Sequence, residues 1–153
     1  THTSGTIASK TNNTVGVSGV AGGFGISEPG CKIMCLRQGY SFNDAGSENG
    51  RTTMSIVAQA VTYAYRNGAT AINYSSGSSS GGGVEAATDS AVAHEVVISA
   101  SAGNSNINSF GYLQSRTDVL CVASTGSSDA KSSFSNFGAA VDVSAPGSSI
   151  RLA

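Results

Sequence analysis

His94-Glu95-Val96-Val97-Ile98-Ser99-Ala100-Ser101-Ala102-Gly103-Asn104-Ser105-Asn106 is the stretch that decides the fold. An apolar run rich in β-branched residues gives way to small ones and ends on Gly-Asn. Such residues favour extended backbone, so residues 96–101 read as a strand. Large side chains first and small ones last leave room beyond its carboxyl end. In open α/β sheets, ligands bind outside the carboxyl ends of the strands. Asn104 is therefore the first candidate functional residue, and the rest of the chain reads as its scaffold. The plain alternative is a turn residue whose side chain closes its own loop.

Working outward, residues 84–94 place Ala87, Ala91 and Val92 at helical spacing. Residues 75–83 form a Ser/Gly loop, and residues 69–74 a strand. In residues 54–66, Ile56, Val57, Ala60, Val61, Ala64 and Tyr65 recur at three and four. Thr52 or Thr53 can cap that helix, and Asn67-Gly68 ends it. On the carboxyl side a polar loop runs to Thr117. Then come a strand at 118–124, one arm of an antiparallel piece at 132–136, and a strand at 140–144 stopped by Ala145-Pro146-Gly147. Toward the start, residues 31–37 read as a strand, 38–51 as an exposed loop and 2–9 as a small-residue helix. Strands alternating with helices over short crossovers make an α/β fold, a parallel sheet flanked by helices.

At 153 residues the chain is one domain or a piece of a larger one. Only 11% of residues are charged and the net charge is −1. There is no basic run to hold nucleic acid, which requires clustered Lys and Arg. No apolar run approaches the roughly 18 residues of a membrane span. The chain lacks a signal peptide and an initial Met, so it reads as processed or missing its start. Its 20 Gly and 27 Ser suggest low complexity, but the apolar residues between them group into strand-sized runs. Few charges with abundant Ser, Gly, Asn and Thr suit a secreted protein.

Cys31 and Cys35 sit roughly 13 Å apart if on one strand, too far for a mutual disulfide. Without other clustered ligands they make a poor zinc site. With Cys121 in an apolar run, all three read as free core thiols. The Gly-rich residues 10–25 lack the Gly-Lys-Ser/Thr and preceding strand of a phosphate loop. Asn12-Asn13 followed by alternating Val and Gly can turn carbonyls inward as a calcium loop does, or make an ordinary turn. The sequons at Asn12 and Asn73 fall in a packed loop and a buried strand, and are expected to be unused.

Several blocks together resemble one family. Thr1-His2-Thr3-Ser4-Gly5-Thr6 resembles the tail of His-Gly-Thr-His-x-x-Gly-Thr. Asn12-Asn13-x-x-Gly16-Val17-x-Gly19-Val20-Ala21 resembles the loop that follows it. Ala71-Ile72-Asn73-Tyr74-Ser75-Ser76-Gly77, Ala100-Ser101-Ala102-Gly103-Asn104, Phe134-Ser135-Asn136-Phe137-Gly138 and Val141-Asp142-Val143-Ser144-Ala145-Pro146-Gly147 continue the series in family order. The family is the subtilisin-like serine proteases, the subtilases. The resemblance implies a three-layer subtilisin-like fold, incomplete at both ends, with residues 1–153 as a partial catalytic domain.

It also implies which residues act. The triad base would lie two residues before Thr1, the triad Asp earlier and the nucleophile beyond Ala153, so His2 matches a structural position. Asn104 matches the oxyanion donor. Ser75, Ser76 and Gly77 match one substrate-docking strand, and Gly50, Arg51 and Thr52 the other. Ser101, Ala102 and Gly103 would line an open, apolar primary pocket suited to large uncharged side chains. Ser76, where Leu is frequent, would widen it. Met54 and Val57 would flank a distal pocket, Val57 equally reading as core. Asn13 with the carbonyls of Val15 and Val17, and of Lys10 or Thr11, would hold a structural calcium. With neutral ligands only, affinity would be poor. Glu95 departs from a helix-ending Gly, and Tyr112-Leu113-Gln114 from Tyr-Pro-Ala.

The expected partners are a peptide or protein substrate, with no nucleic acid, no membrane and a monomeric state. The competing reading is a proteolytically inactive binding or structural α/β module. Flanking sequence discriminates: His-Gly before Thr1 and Gly-Thr-Ser-Met soon after Ala153 would favour the protease, a stop codon after Ala153 the module.

Overall fold

The computed structural model describes residues 2–25 and 27–151. Thr1, which opens the first family block, lies outside them. The chain divides into two compact units, Thr1–Cys35 with Ser149–Ala153, and Leu36–Ser148.

In the first unit, α1 (His2–Ala8) is the expected small-residue helix, and β1 (Gly23–Phe24) pairs antiparallel with β2 (Glu28–Pro29). The amides of Gly19, Val20 and Ala21 donate to the carbonyls of Ser9, Thr6 and Ile7 at 2.7–2.9 Å. These bonds satisfy carbonyls left over at the helix end. Gly22 has to be glycine, because a Cβ there would overlap the Ser9 carbonyl.

Residues 31–37, expected as a strand, pair with no strand among the described residues. With no partner strand beside this apolar run, Ile33 and Met34 stay exposed. Cys31 and Cys35 are free but exposed rather than in the core, while Cys121 is free and buried. Burial, and next the nearby Asp142, push the Cys121 thiol up. We expect a thiol-reactive dye at pH 8 to label Cys31 and Cys35 rapidly, and Cys121 only after denaturant is added.

In Leu36–Ser148, β3 (Gly39–Asp44) and β4 (Ser47–Thr52) form an antiparallel hairpin across the expected loop. Asp44 pairs with Ser47, leaving the two-residue turn Ala45-Gly46 with φ of 49° and 85°. Two positive φ values are the signature of a type I′ turn, which matches the strand twist. The Asn43 side chain accepts from the Gly46 amide at 3.0 Å.

Helix α2 (Met54–Arg66) has the expected bounds. Gly68, at φ 81°, follows it, and the Ala69 amide reaches back to the Ala64 carbonyl at 3.0 Å. Strands β5 (Ala71–Tyr74), β6 (Val97–Ser101), β7 (Leu120–Thr125) and β8 (Val143–Pro146) make one parallel sheet in chain order, with α3 (Val84–Ala93) between β5 and β6. Strand β8 runs on through Pro146 because it is an edge strand, where a missing N–H is tolerated. Residues 132–136 are not a strand; only Thr125 and Lys131 bridge antiparallel there.

The core joins Val57 and Val61 of α2, Val84 and Ala91 of α3, and Ile98 and Ala100 of β6. On the other face of the sheet Val97, Leu120 and Val143 are 54%, 43% and 49% exposed. Parallel sheets are normally covered on both faces. Within this unit the described residues supply one helical layer, α2 with α3, and the third layer is not among them.

Glu95 has φ 61°. The Val96 amide bonds the Ala91 carbonyl at 3.1 Å, closing the helix around a left-handed residue that glycine would fill without strain. Glu95→Gly is expected to stabilise the fold by about 1 kcal/mol, read as a higher urea midpoint with an unchanged m-value.

Candidate active site

The register pairs Tyr74 of β5 with Ala100 of β6. Residues 75–77 and 101–104 therefore leave the sheet side by side, at the carboxyl ends of adjacent parallel strands. The Tyr74 hydroxyl, buried and pushed up by that burial, donates to the Gly77 carbonyl at 2.7 Å and pins the first stretch. Ser75 and Gly77 are exposed and Ser76 half-buried. Among the described residues, strand β5 is an edge of its sheet, and β4 pairs only with β3. Gly50 and Arg51 are exposed in β4, with the Arg51 guanidinium 5.2 Å from the Phe42 ring centre. Thr52 donates to the Gln38 carbonyl at 2.6 Å. Met54 packs on the core, its Sδ accepting from the Ser79 amide at 3.4 Å. Val57, at 1% exposure, is core.

Alternation along β6 continues past its end. Ala102 is buried against Cys121 and Ala123, so its side chain lines no pocket; it can contribute a wall only through its backbone. Ser101 and Gly103 are half-buried and Asn104 exposed. Gly103 has φ 109°, and a Cβ on it would lie 2.6 Å from the Asn136 Nδ2.

Asn136 organises the loop. Its Oδ1 accepts from the Ser105 amide at 2.9 Å and the Ile107 amide at 3.3 Å, and its Nδ2 donates to the Ser109 carbonyl at 2.9 Å. The Asn136 amide also donates to the Gly103 carbonyl at 3.0 Å. Lys131 adds bonds to the Asn106 side chain and to the carbonyls of Ser132 and Ser135. Among the described residues, the Asn104 carboxamide has no hydrogen-bond partner. The loop is closed by Asn136, leaving the Asn104 amide free to meet a ligand.

Gln114 was visible in the sequence only as a departure. It is 3% exposed in the short 3₁₀ turn Leu113–Ser115. The following Arg116 holds that turn by bonding Tyr112 at 2.7 Å, Asp89 at 2.8 Å and Asp118 at 2.5 Å. The hydrogen bond from Arg116 keeps the Asp118 carboxyl below the usual carboxylate range.

The expected calcium donors lie in the first unit. Asn13 Oδ1 accepts from the Val15 amide at 3.1 Å, and the Asn13 carbonyl accepts from the Thr14 hydroxyl at 2.6 Å. Residues 10–25 contain no carboxylate. An Asx turn with only neutral oxygens does not by itself suit a hard divalent cation. Adding 1 mM calcium or a chelator is expected to move the melting temperature of this chain by under about 2 °C.

A parallel α/β sheet thus carries an unengaged carboxamide beyond the carboxyl end of a central strand, with the edge strand β5 beside it. Comparison with known proteins identifies the family. Residues 1–152 match the Subtilase family, and the chain belongs to that family. An extracellular protease of Xanthomonas campestris pv. campestris is 39% identical, covering 98% of this chain and 26% of that protein. Thermitase of Thermoactinomyces vulgaris is 36% identical, covering 97% and 48%. A cold-adapted subtilisin-like serine proteinase of known structure superposes with a TM-score of 0.61 at 34% identity, covering 71% of this chain and 40% of that one. The chain spans about a quarter to a half of the length of these curated relatives. Among the described residues, no helix is long and apolar enough to cross a membrane.

Proposed function

We propose that residues 1–153 are part of the catalytic domain of a secreted, monomeric subtilisin-like serine endopeptidase, and that they carry its oxyanion donor and much of its substrate cleft. The observation that carries this reading is the division of labour between two asparagines. Asn136 holds the 103–109 loop, and that leaves Asn104 Nδ2 available at the carboxyl end of β6.

A serine nucleophile activated by histidine forms a tetrahedral adduct and then an acyl-enzyme. The Asn104 N–H would donate to the oxygen as it gains charge, which lowers the barrier because the donor is placed in advance. The serine, histidine and aspartate would come from residues outside this chain. Substrate would bind as an added strand against the open edges at 50–52 and 75–77, alternate side chains meeting pockets. A structural calcium at Asn13, Val15 and Val17 would require a carboxylate from elsewhere, with the second lone pair of Asn13 Oδ1 available beside the bond from the Val15 amide.

The test is hydrolysis of an internally quenched peptide by the longer polypeptide that contains this chain. Hydrolysis abolished by phenylmethylsulfonyl fluoride supports the proposal, while the 153-residue chain alone cleaves nothing. Absence of such hydrolysis in the longer polypeptide overturns it in favour of an inactive α/β module.

A further inference from the structure

The crevice between the ends of β5 and β6 is not left empty. The Gln114 side chain enters it and spans both walls. Its Nε2 donates to the Ser76 carbonyl at 3.0 Å and to the Ser101 carbonyl at 3.1 Å. Its Oε1 accepts from the Ser78 hydroxyl at 2.6 Å. Both amide protons are thus used, and Oε1 is bonded as well. A carboxamide so engaged, at 3% exposure, is a strut rather than a group waiting for ligand.

The strut has no slack. Ser78 Oγ is also the acceptor for the Leu113 amide at 2.8 Å, and the Ser78 carbonyl accepts from the Tyr112 amide at 3.2 Å. A Cβ on Gly111 would lie 2.6 Å from Gln114 Oε1 and from the Ser78 carbonyl oxygen. Glycine is required there for the amide to sit so close. On the far side, Arg116 and its bonds to Asp89, Asp118 and Tyr112 keep the turn from sliding out.

We propose that Gln114 is a specificity-determining positioning residue. It fixes the separation of the 75–77 and 101–103 walls and fills the base of the space between them, so the primary pocket is shallow. The enzyme then favours small to medium apolar residues before the scissile bond over aromatic ones, opposite to the large side chains the wall residues alone suggest. This rests on the endopeptidase reading above. Hydrophobic pockets discriminate by roughly 10- to 200-fold per methylene of misfit, so a filled base is expected to show clearly.

The experiment uses the longer polypeptide and peptide p-nitroanilides differing only in the residue before the scissile bond: Ala, Leu or Phe. The wild type is expected to show kcat/KM for Ala and Leu at least about tenfold above Phe. Gln114→Ala is expected to raise the Phe to Ala ratio at least about tenfold, chiefly by lowering KM for Phe. Gln114→Met, which keeps the length and loses the bonds, is expected to keep Phe disfavoured while raising KM for all three substrates. A wild type that prefers Phe overturns the inference whether or not the variants fold. An unchanged Phe to Ala ratio in folded Gln114→Ala overturns it too. No hydrolysis of any peptide by the wild type instead overturns the endopeptidase reading, and this inference with it.

Discussion

Replacing Asn104 by leucine in the longer polypeptide is expected to lower kcat by about 10²–10³-fold with KM nearly unchanged. That magnitude is the one known for the oxyanion-hole asparagine of subtilisin itself, and it is carried over from there. The direction follows from this chain. The Asn104 carboxamide is exposed and is not needed to hold its loop, which Asn136 and Lys131 secure. On the proposed reading, removing it deletes a donor that would act when the carbonyl oxygen becomes an oxyanion, so ground-state binding would be spared. Leucine has similar bulk and no polar group, and because position 104 is exposed the melting temperature should hold. A large loss of stability would reassign Asn104 to closing its own turn.

Gly103→Ala is expected to damage both stability and activity, costing about 3 kcal/mol and most of kcat. Two faults combine. At φ 109° an alanine is strained by about 1–3 kcal/mol. Its Cβ would also press on Asn136 Nδ2, displacing a buried side chain that makes three bonds, a loss of about 1–3 kcal/mol. The second fault predicts its own signature. Asn136→Ala should destabilise alone, but Gly103→Ala with Asn136→Ala should cost less than the sum, because the clash then has no target. Additive costs would show that the two residues do not meet. In every variant with a disordered 104–109 loop, kcat should fall through misplacement of Asn104.

What the sequence made legible follows from which physical signals are local. Helix 54–66 was readable to the residue because its apolar period and the Gly68 stop lie within one segment. Strand β6 was readable for the same reason, whereas the left-handed Glu95 was signalled only by the family resemblance, as a residue standing where glycine often ends the helix. The β3–β4 hairpin was hidden because its residues are polar and its turn, Ala45-Gly46, lacks the usual Asn-Gly signal. Residues 31–37 misled because an apolar run permits a strand but only a partner makes one.

The site divides in the same way. Asn104 could be placed from its position after a strand and from the family blocks. Asn136 and Gln114 could not, because a buried carboxamide has no period, and their partners lie as far as 31 and 38 residues away in sequence. The resemblance placed Asn136 inside a late block without giving its task. For Ala102 the alternation of β6 was enough to send the side chain into the core, so the wall role suggested by the family match could fall only to its backbone.

The most direct measurement is a crystal structure of the longer polypeptide with a peptidyl boronate, whose tetrahedral adduct mimics the attacked carbonyl. The account predicts Asn104 Nδ2 about 2.7–3.1 Å from the adduct oxygen, the peptide paired as a strand beside residues 75–77, and Asn136 still bonded to the 105–109 backbone. An adduct oxygen held by other donors, with Asn104 turned to solvent or bonded within its own loop, would contradict it.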